Sequence, residues 1–428
     1  MRDIHSYAAG EWLAPGAGAR SIASAITGEV IAQAGNDALD AGAMLGFARE
    51  YGGPALRAMT FHDRARMLKA LALHLMEHKQ ALYDLSYDTG ATLSDHKIDV
   101  DGGIGTMLVF ASKGRREMPD AHVYLDGAPE QLGREGQFMG RHICTPLQGV
   151  AVHINAFNFP VWGMLEKLAP TLLAGVPAIV KPATATCYVT EHCVRLMLDS
   201  GLLPKGALQF VSGGLGDMLD LLGCQDAVAF TGSADTALKL RGNPKLMDNS
   251  VRFTSEQDSL NASVLGPDAV PGTPEFDLFV KEVQREMTAK AGQKCTAIRR
   301  IMVPQAQVDA VISALSDRLA KTTIGDPRAE DTRMGALVSN GQKRDVLEKV
   351  GLLSAEAERV FGDPEDFTVK GADRDKGAFL PPMLFHCADP DGAERVHDTE
   401  AFGPVSTLMP YRDLAHATQL LNRGQGSL

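Results

Sequence analysis

The chain has 428 residues, 45% hydrophobic and 22% charged, the balance of an ordinary soluble protein long enough for two domains. Its formal net charge of -11 argues against nucleic acid or anionic membranes as general partners, though a local basic pocket stays open. Six cysteines without a Cys-x-x-Cys pair indicate neither a zinc knuckle nor a redox dithiol. They fit a reducing compartment, and no metal is expected. Met1-Arg2-Asp3-Ile4-His5 carries no apolar signal core. No apolar run approaches roughly 18 residues, so the cytoplasm is the expected location.

In chain order, the first strong periodicity predicts helices over Thr60 to His78 and Lys79 to Tyr87. Residues 123–142 turn polar and glycine-rich with strand-like pieces, which reads as a hairpin arm. From Gly149 the pattern becomes regular. Gly149 to Ile154 is a strand, and Pro160 marks a helix start that continues through Leu165, Leu168 and Leu172 to Gly175. Strands follow at Ala178 to Val180, Leu208 to Val211, Ala227 to Phe230 and Val251 to Thr254. Helices between them cover Val189 to Leu198, Asp217 to Leu222 and Ser233 to Arg241. This alternation predicts an α/β fold with a parallel sheet and right-handed crossovers. Ligands of such sheets bind at the carboxyl ends of the strands, so the residues just after each strand are the ones to inspect. A second α/β unit begins after Asn261 to Leu265, with a helix over Glu275 to Lys290 leading to Gly292-Gln293-Lys294-Cys295.

Five positions carry possible chemistry. Cys295 lies past a helix and a glycine, on a turn that would expose its thiol, and the basic neighbours Lys294, Arg299 and Arg300 would favour the nucleophilic thiolate. Taken alone, such a cysteine is more often a buried structural one. Glu256 follows the fifth strand, where a glutamate can act as general base, or simply be a surface carboxylate. Asn158, in Asn155-Ala156-Phe157-Asn158-Phe159-Pro160, can donate to an oxyanion or form an Asx turn. Lys181 ends the second strand within reach of an adenosine ribose or a phosphate on it. Thr231-Gly232-Ser233 opens a helix whose free N–H groups suit a pyrophosphate.

Their order resembles the aldehyde dehydrogenase superfamily, and the resemblance covers nearly the whole chain. Gly10-Glu11-Trp12 and Thr27-Gly28-Glu29-Val30-Ile31-Ala32 look like that family's N-terminal strands. Gly325-Asp326-Pro327 looks like its mid-domain turn, Gly292-Gln293-Lys294-Cys295 like its nucleophile motif, and Glu400-Ala401-Phe402-Gly403-Pro404 like its Glu-x-Phe-Gly-Pro motif. The resemblance implies a Rossmann-type cofactor domain over 1–122 and 143–255, a β-hairpin oligomerisation arm over 123–142, and an α/β catalytic domain over 256–428. It also implies roles. Cys295 attacks the aldehyde, Asn158 and the Cys295 N–H hold the oxyanion, and Glu256 activates the water that hydrolyses the thioester. Lys181, Thr184, Gly232 and Ser233 bind the cofactor, Glu400 holds the nicotinamide ribose, and Phe402 packs beside the ring.

Three departures narrow this. The family's Glu-Leu-Gly-Gly is Glu256-Gln257-Asp258-Ser259 here, the second glycine of its Gly-Ser-x-x-x-Gly helix start is Ala237, and Thr184 stands where NAD-preferring members often have glutamate. The last favours NADP, with NAD as the alternative. Together with Asn158-Phe159-Pro160-Val161-Trp162 and Thr288-Ala289-Lys290-Ala291, they resemble the branch that contains the aldehyde dehydrogenase domain of the bifunctional ring-cleavage enzyme of phenylacetate catabolism (oxepin-CoA hydrolase / 3-oxo-5,6-dehydrosuberyl-CoA semialdehyde dehydrogenase). Monofunctional enzymes of the benzoyl-CoA epoxide route are similar. That branch implies a semialdehyde carried on coenzyme A as substrate, and a homodimer or higher homo-oligomer. Trp162 and Phe157 suggest an apolar tunnel for it, although an aromatic pair near a strand end is as often core. The family continues beyond the position of Leu428, so a C-terminally incomplete catalytic domain is expected. The competing expectations are a coenzyme A-acylating dehydrogenase, which would lack the base Glu256, and a non-catalytic dehydrogenase-like subunit.

Overall fold

Where the periodicity predicts two helices meeting at Lys79, the chain forms one, α1 (Phe61–Ser86). No glycine or proline interrupts the junction, and Leu68, Leu71, Leu75 and Leu82 are all fully buried along one stripe. The computed structural model describes residues 1–35 and 39–425. Residues 426–428, at the chain end on which the expectation of an incomplete catalytic domain rests, lie outside the described residues. The chain divides into two compact units, one of 1–22, 31–85 and 97–256, the other of 23–30, 86–96 and 257–428.

The first unit holds a seven-stranded sheet. Its strands are β1 (Ser6–Ala8), β2 (Glu11–Leu13), β3 (Ala151–Ile154), β4 (Ala178–Lys181), β5 (Leu208–Phe210), β6 (Ala227–Thr231) and β7 (Arg252–Glu256). Their spatial order is β7-β6-β3-β4-β5-β1-β2. The five strands from β7 to β5 are parallel, and β1 and β2 add an antiparallel edge. Side chains alternate between two cores, as the pleat requires. Ala178 and Val180 join a cluster with α1, α2 (Gly102–Arg116), α3 (Trp162–Leu173) and α4 (Cys187–Asp199). Ile179 faces the other cluster, with Val152, Ile154, Val228 and Phe230. Pro160 precedes α3 without being its first residue, since the helix starts at Trp162. Strands of 124–131 and 139–144 pair antiparallel, Tyr124 with Cys144 and Gln131 with Met139, as an exposed hairpin.

The second unit is built on a five-stranded sheet of β8 (Ala262–Val264), β9 (Arg300–Pro304), β10 (Glu358–Phe361), β11 (Met383–His386) and β12 (Val405–Tyr411). The order is β8-β9-β12-β11-β10, parallel except for β10 against β11. Ile301 and Val303 pack on one face and Met302 on the other.

Candidate active site

In the first unit the strand order reverses at β3. The chain winds to β4 and β5 on one side, then returns to place β6 and β7 on the other. The loops after β3 and β6 therefore flank a topological switch point, where open α/β sheets bind ligands. Register puts Ile154 beside both Lys181 and Phe230, and Thr231 beside Glu256, so the strand ends align along one edge.

The loop after β3 carries Asn158, which is 7% exposed. Three side chains hold its backbone. Thr186 Oγ1 donates to the Phe157 carbonyl at 3.2 Å and Thr190 Oγ1 to the Pro160 carbonyl at 3.0 Å. Buried Asp99 accepts from the Val161 N–H at 3.2 Å and the Trp162 N–H at 2.8 Å. A carboxylate there satisfies otherwise orphaned donors at the start of α3 and complements its dipole. The Trp162 ring lies 5.8 Å from the Phe159 ring and packs over Gly102 of α2 so closely that any Cβ there would strike it.

Lys181 ends β4, with its carbonyl taking the Asn155 N–H at 2.9 Å. Burial pushes the pKa of its ammonium down. Thr184 opens a single 3-10 turn, Thr184–Thr186. The Gly232 N–H reaches the Glu256 carbonyl at 3.1 Å, and Ser233 caps α5 (Ala234–Arg241) by accepting the Thr236 N–H at 3.4 Å. Ala237, in place of a family glycine, points into the core cluster with Phe230 and Leu246. Glu256 is the last residue of β7 and half-buried.

Two side chains at this edge have no role of their own in the sequence reading, although their motifs do. Both side-chain amide atoms of Asn155 and the Thr231 hydroxyl are buried without a hydrogen-bond partner. Each such group costs about 1–3 kcal/mol. They end β3 and β6 on either side of the switch point, so the edge suits a ligand rich in polar groups, as a dinucleotide is. The available signal was a polar residue directly after an apolar strand.

The nucleophile motif lies in the second unit, and its backbone is unusual. The expected helix to Lys290 stops earlier, as α6 (Pro274–Thr288). Lys290 (φ 51), Ala291 (φ 51) and Gly292 (φ 69) then follow in left-handed conformation. For a residue with a Cβ this costs roughly 1–2 kcal/mol, so the surroundings must impose it. Asp95 accepts the Lys290 N–H at 2.8 Å, and Gln293 Nε2 donates to the Lys290 carbonyl at 2.9 Å. Gln293 in turn accepts the Val338 N–H at 3.0 Å. Gly292 admits no side chain, because a Cβ would overlap the Gly403 carbonyl oxygen. Cys295 is partly exposed, and its carbonyl takes Asn261 Nδ2 at 2.6 Å.

The three basic neighbours of Cys295 do not form the free cationic cluster the sequence suggests. Lys294 pairs with Glu286 at 2.6 Å, both nearly buried. Arg300 is spent on the Leu260 and Leu420 carbonyls at 2.9 Å each, and burial lowers its pKa to about 10. Arg299 donates to the Gly292 carbonyl at 2.8 Å, the Lys294 carbonyl at 3.3 Å and the Gly403 carbonyl at 2.7 Å. Burial lowers its pKa as well, opposed by Glu400, which lies 3.4 Å away, and by Cys295. Arg299 thus clamps the turn that precedes Cys295 to the Glu400 loop.

Glu400 is buried, which raises its pKa against the pull of Arg299. Its second oxygen accepts the Ser259 N–H at 3.2 Å. Ser259, where the family has glycine, also bonds Asn261 Oδ1 at 2.8 Å. The Phe402 ring lies 5.4 Å from the Arg299 guanidinium, and its carbonyl takes Gln342 Nε2 at 3.0 Å. The candidates thus fall into two groups: Asn158, Lys181, Thr184, Gly232, Ser233 and Glu256 in the first unit, and Cys295, Glu400 and Phe402 in the second. Among the described residues, no helix is long and apolar enough to cross a membrane.

Residues 12–428 match the profile of the aldehyde dehydrogenase family. A 3,4-dehydroadipyl-CoA semialdehyde dehydrogenase of Aromatoleum evansii is 44% identical over 99% of this chain and 82% of its own length. A 1-pyrroline-5-carboxylate dehydrogenase of Halalkalibacterium halodurans is 28% identical over 71% of this chain and 57% of its own. The crystal structure of betaine aldehyde dehydrogenase from Staphylococcus aureus in complex with NAD+ superposes with a TM-score of 0.85 at 25% identity, over 99% of this chain and 81% of that one.

Proposed function

The chain belongs to the aldehyde dehydrogenase family and is an oxidoreductase; from that premise we propose that it oxidises a coenzyme A-linked semialdehyde of aromatic catabolism to the acid, with NADP as acceptor. The observation that carries the substrate class is the 44% identity, over nearly the whole chain, to a relative named for such a substrate. In this reading the Cys295 thiolate attacks the aldehyde carbon and forms a carbon–sulfur bond. The Asn158 amide and the Cys295 N–H stabilise the oxyanion, each such donor contributing about 2.7–4 kcal/mol. The nicotinamide cofactor, when bound, supplies the hydride acceptor that turns this adduct into a thioester. Glu256 then takes a proton from water as the oxygen attacks the thioester carbon. The carbon–sulfur bond breaks, the acid leaves and the Cys295 thiolate returns.

Lys181, Thr184, Gly232 and Ser233 are the proposed cofactor contacts, supported by the unpartnered Asn155 and Thr231 groups beside them. Glu400 is the proposed hold on the nicotinamide ribose, with Phe402 beside the ring. Thr184 supports NADP, because it presents no carboxylate to a 2′-phosphate. The test is steady-state NADPH formation from a coenzyme A-linked semialdehyde without free coenzyme A. Turnover only when coenzyme A is added would instead favour the acylating reaction, and none at all a non-catalytic subunit.

We further propose that the hairpin is an oligomerisation arm and the protein a homo-oligomer. Leu125, Leu132, Phe138, Met139 and Ile143 are all exposed on it, a density of apolar surface that marks interaction sites. Sedimentation of wild type and Phe138→Ser measures this: the variant should shift toward monomer, and an unchanged mass would refute the assignment.

A further inference from the structure

Asp95 sits 195 positions before its partner Lys290 in sequence. It is 4% exposed, on the four-residue turn of helix Leu93–His96. Its Oδ2 accepts the Thr92 N–H at 2.9 Å and the Thr92 hydroxyl at 2.8 Å, a capping-box arrangement. That task occupies one oxygen. The other, Oδ1, accepts the Lys290 N–H at 2.8 Å, the first of three consecutive left-handed residues that lead to Cys295. Thr92 thus orients the carboxylate, and Lys290 receives its free edge. Carbonyl oxygens of the turn are held as well: Gln293 Nε2 donates to that of Lys290, and Arg299 to those of Gly292 and Lys294. Among the described hydrogen bonds, Asp95 is the side chain that takes an N–H of the left-handed run.

We propose that Asp95 is a positioning residue for the reaction: by holding the Lys290 N–H it maintains the left-handed run Lys290 to Gly292 and so sets where the Cys295 thiol is presented. The inference rests on the reading of Cys295 as nucleophile. Without the carboxylate, the buried Lys290 N–H loses its acceptor. The run then relaxes toward the right-handed backbone that lysine and alanine prefer. Such a change moves the thiol by the turn geometry, leaving the cofactor residues of the first unit unaltered.

The experiment compares Asp95→Ala, Asp95→Asn and Thr92→Val in the full chain. Five quantities are read: the rate of Cys295 alkylation by iodoacetamide, identified by peptide mass, kcat and KM for the aldehyde, NADP affinity, and the melting temperature. Asp95→Ala should slow alkylation and kcat by tenfold or more while NADP affinity stays within twofold. Asp95→Asn can give its carbonyl oxygen to Lys290 only by turning its NH2 toward the Thr92 N–H, so it should regain part of both rates and exceed Asp95→Ala. Thr92→Val loses the hydroxyl donor, but the Thr92 N–H still holds Oδ2 and leaves Oδ1 on Lys290, so its rates should stay near wild type. Adding Ala291→Gly to Asp95→Ala should recover part of the loss, since glycine is at ease in left-handed backbone. If Asp95→Ala does not fold, Asp95→Ser, whose hydroxyl can still accept from Thr92 but falls short of Lys290, gives the same comparison. Rates within twofold of wild type in the folded variant, or equal losses in Thr92→Val and Asp95→Ala, would overturn the proposal. Failure of the parent reading looks different: Cys295→Ala would then keep its turnover, whatever Asp95 does to alkylation.

Discussion

At the carboxyl edge of β3, β4, β6 and β7, Lys181 and Glu256 end parallel strands and inherit their place from regular hydrogen bonding, while Asn158 lies in a loop that side chains hold beside them. Cys295 instead follows three left-handed residues, two of them non-glycine, held by side chains from 95, 293 and 299. The first region is tolerant by construction, because strand ends stay aligned when a side chain changes. The second stores strain, which proteins concentrate where a reacting group must be presented in one geometry. Substitutions at the two regions should therefore fail differently: at the strand ends through chemistry and affinity, at the turn through geometry.

The largest expected effect falls on the thiol itself. Cys295→Ala should lower aldehyde oxidation by about 10³-fold or more, while NADP affinity, measured by calorimetry, stays near wild type. Retained turnover would remove the nucleophile from the turn and break the comparison outright. Glu256→Gln comes next. Losing a general base typically costs about 10²–10⁴-fold, and here the loss should be confined to steady state. Rapid mixing should still show a burst of one NADPH per site, followed by stalling as the thioester accumulates. A vanished burst in a folded variant would give Glu256 a different role.

Gly292→Ala tests the strain directly. Its φ of 69° and the Gly403 carbonyl oxygen both oppose a Cβ, so a loss of about 1–3 kcal/mol or more is expected. The midpoint of urea unfolding reads it, and an unchanged midpoint would show that the turn rearranges freely. The smallest effect concerns the strand ends. Thr184→Glu should weaken NADP relative to NAD by about one to two orders of magnitude, since unit charges about 4 Å apart at an effective dielectric near 20 interact by roughly 4 kcal/mol before desolvation. The pH dependence has a definite sign. Burial lowers the pKa of Lys181, so its charge, and with it the NADP preference, should fade as pH rises through that lowered value. A cofactor preference flat across alkaline pH would mean that Lys181 does not meet the phosphate.

Much of the first region was legible in advance. The strands at β3, β4, β6 and β7 were located to within one or two residues, because buried parallel strands are short apolar runs with punctuation on both sides. Position at a strand end made Lys181 and Glu256 candidates, and the order of the family's motifs set them above solvated side chains. Asn155 and Thr231 were passed over, since nothing local distinguishes a polar residue that will find a partner from one left without. The second region was legible only as a motif. The helix was extended to Lys290 because lysine and alanine favour helix, and Lys294, Arg299 and Arg300 were pooled as one cation cluster because they are neighbours in sequence. Each has a separate partner instead, Lys294 the nearby Glu286, and Arg299 and Arg300 groups far along the chain.

The amino-acid sequence by itself determined the alternation of strands and helices, which thiol and which strand-end carboxylate are the candidates, and the absence of glutamate at position 184. All of these are properties of residues within a few positions of one another, where period, propensity and motif act. Tertiary structure alone decided that Asp95 meets Lys290, that Arg299 clamps two loops and screens Glu400, and that Lys290 and Ala291 adopt a backbone their own preferences oppose. Left-handed lysine and alanine are unfavourable in any isolated segment. They exist here because buried partners, brought in from far along the chain, hold the turn against its local cost.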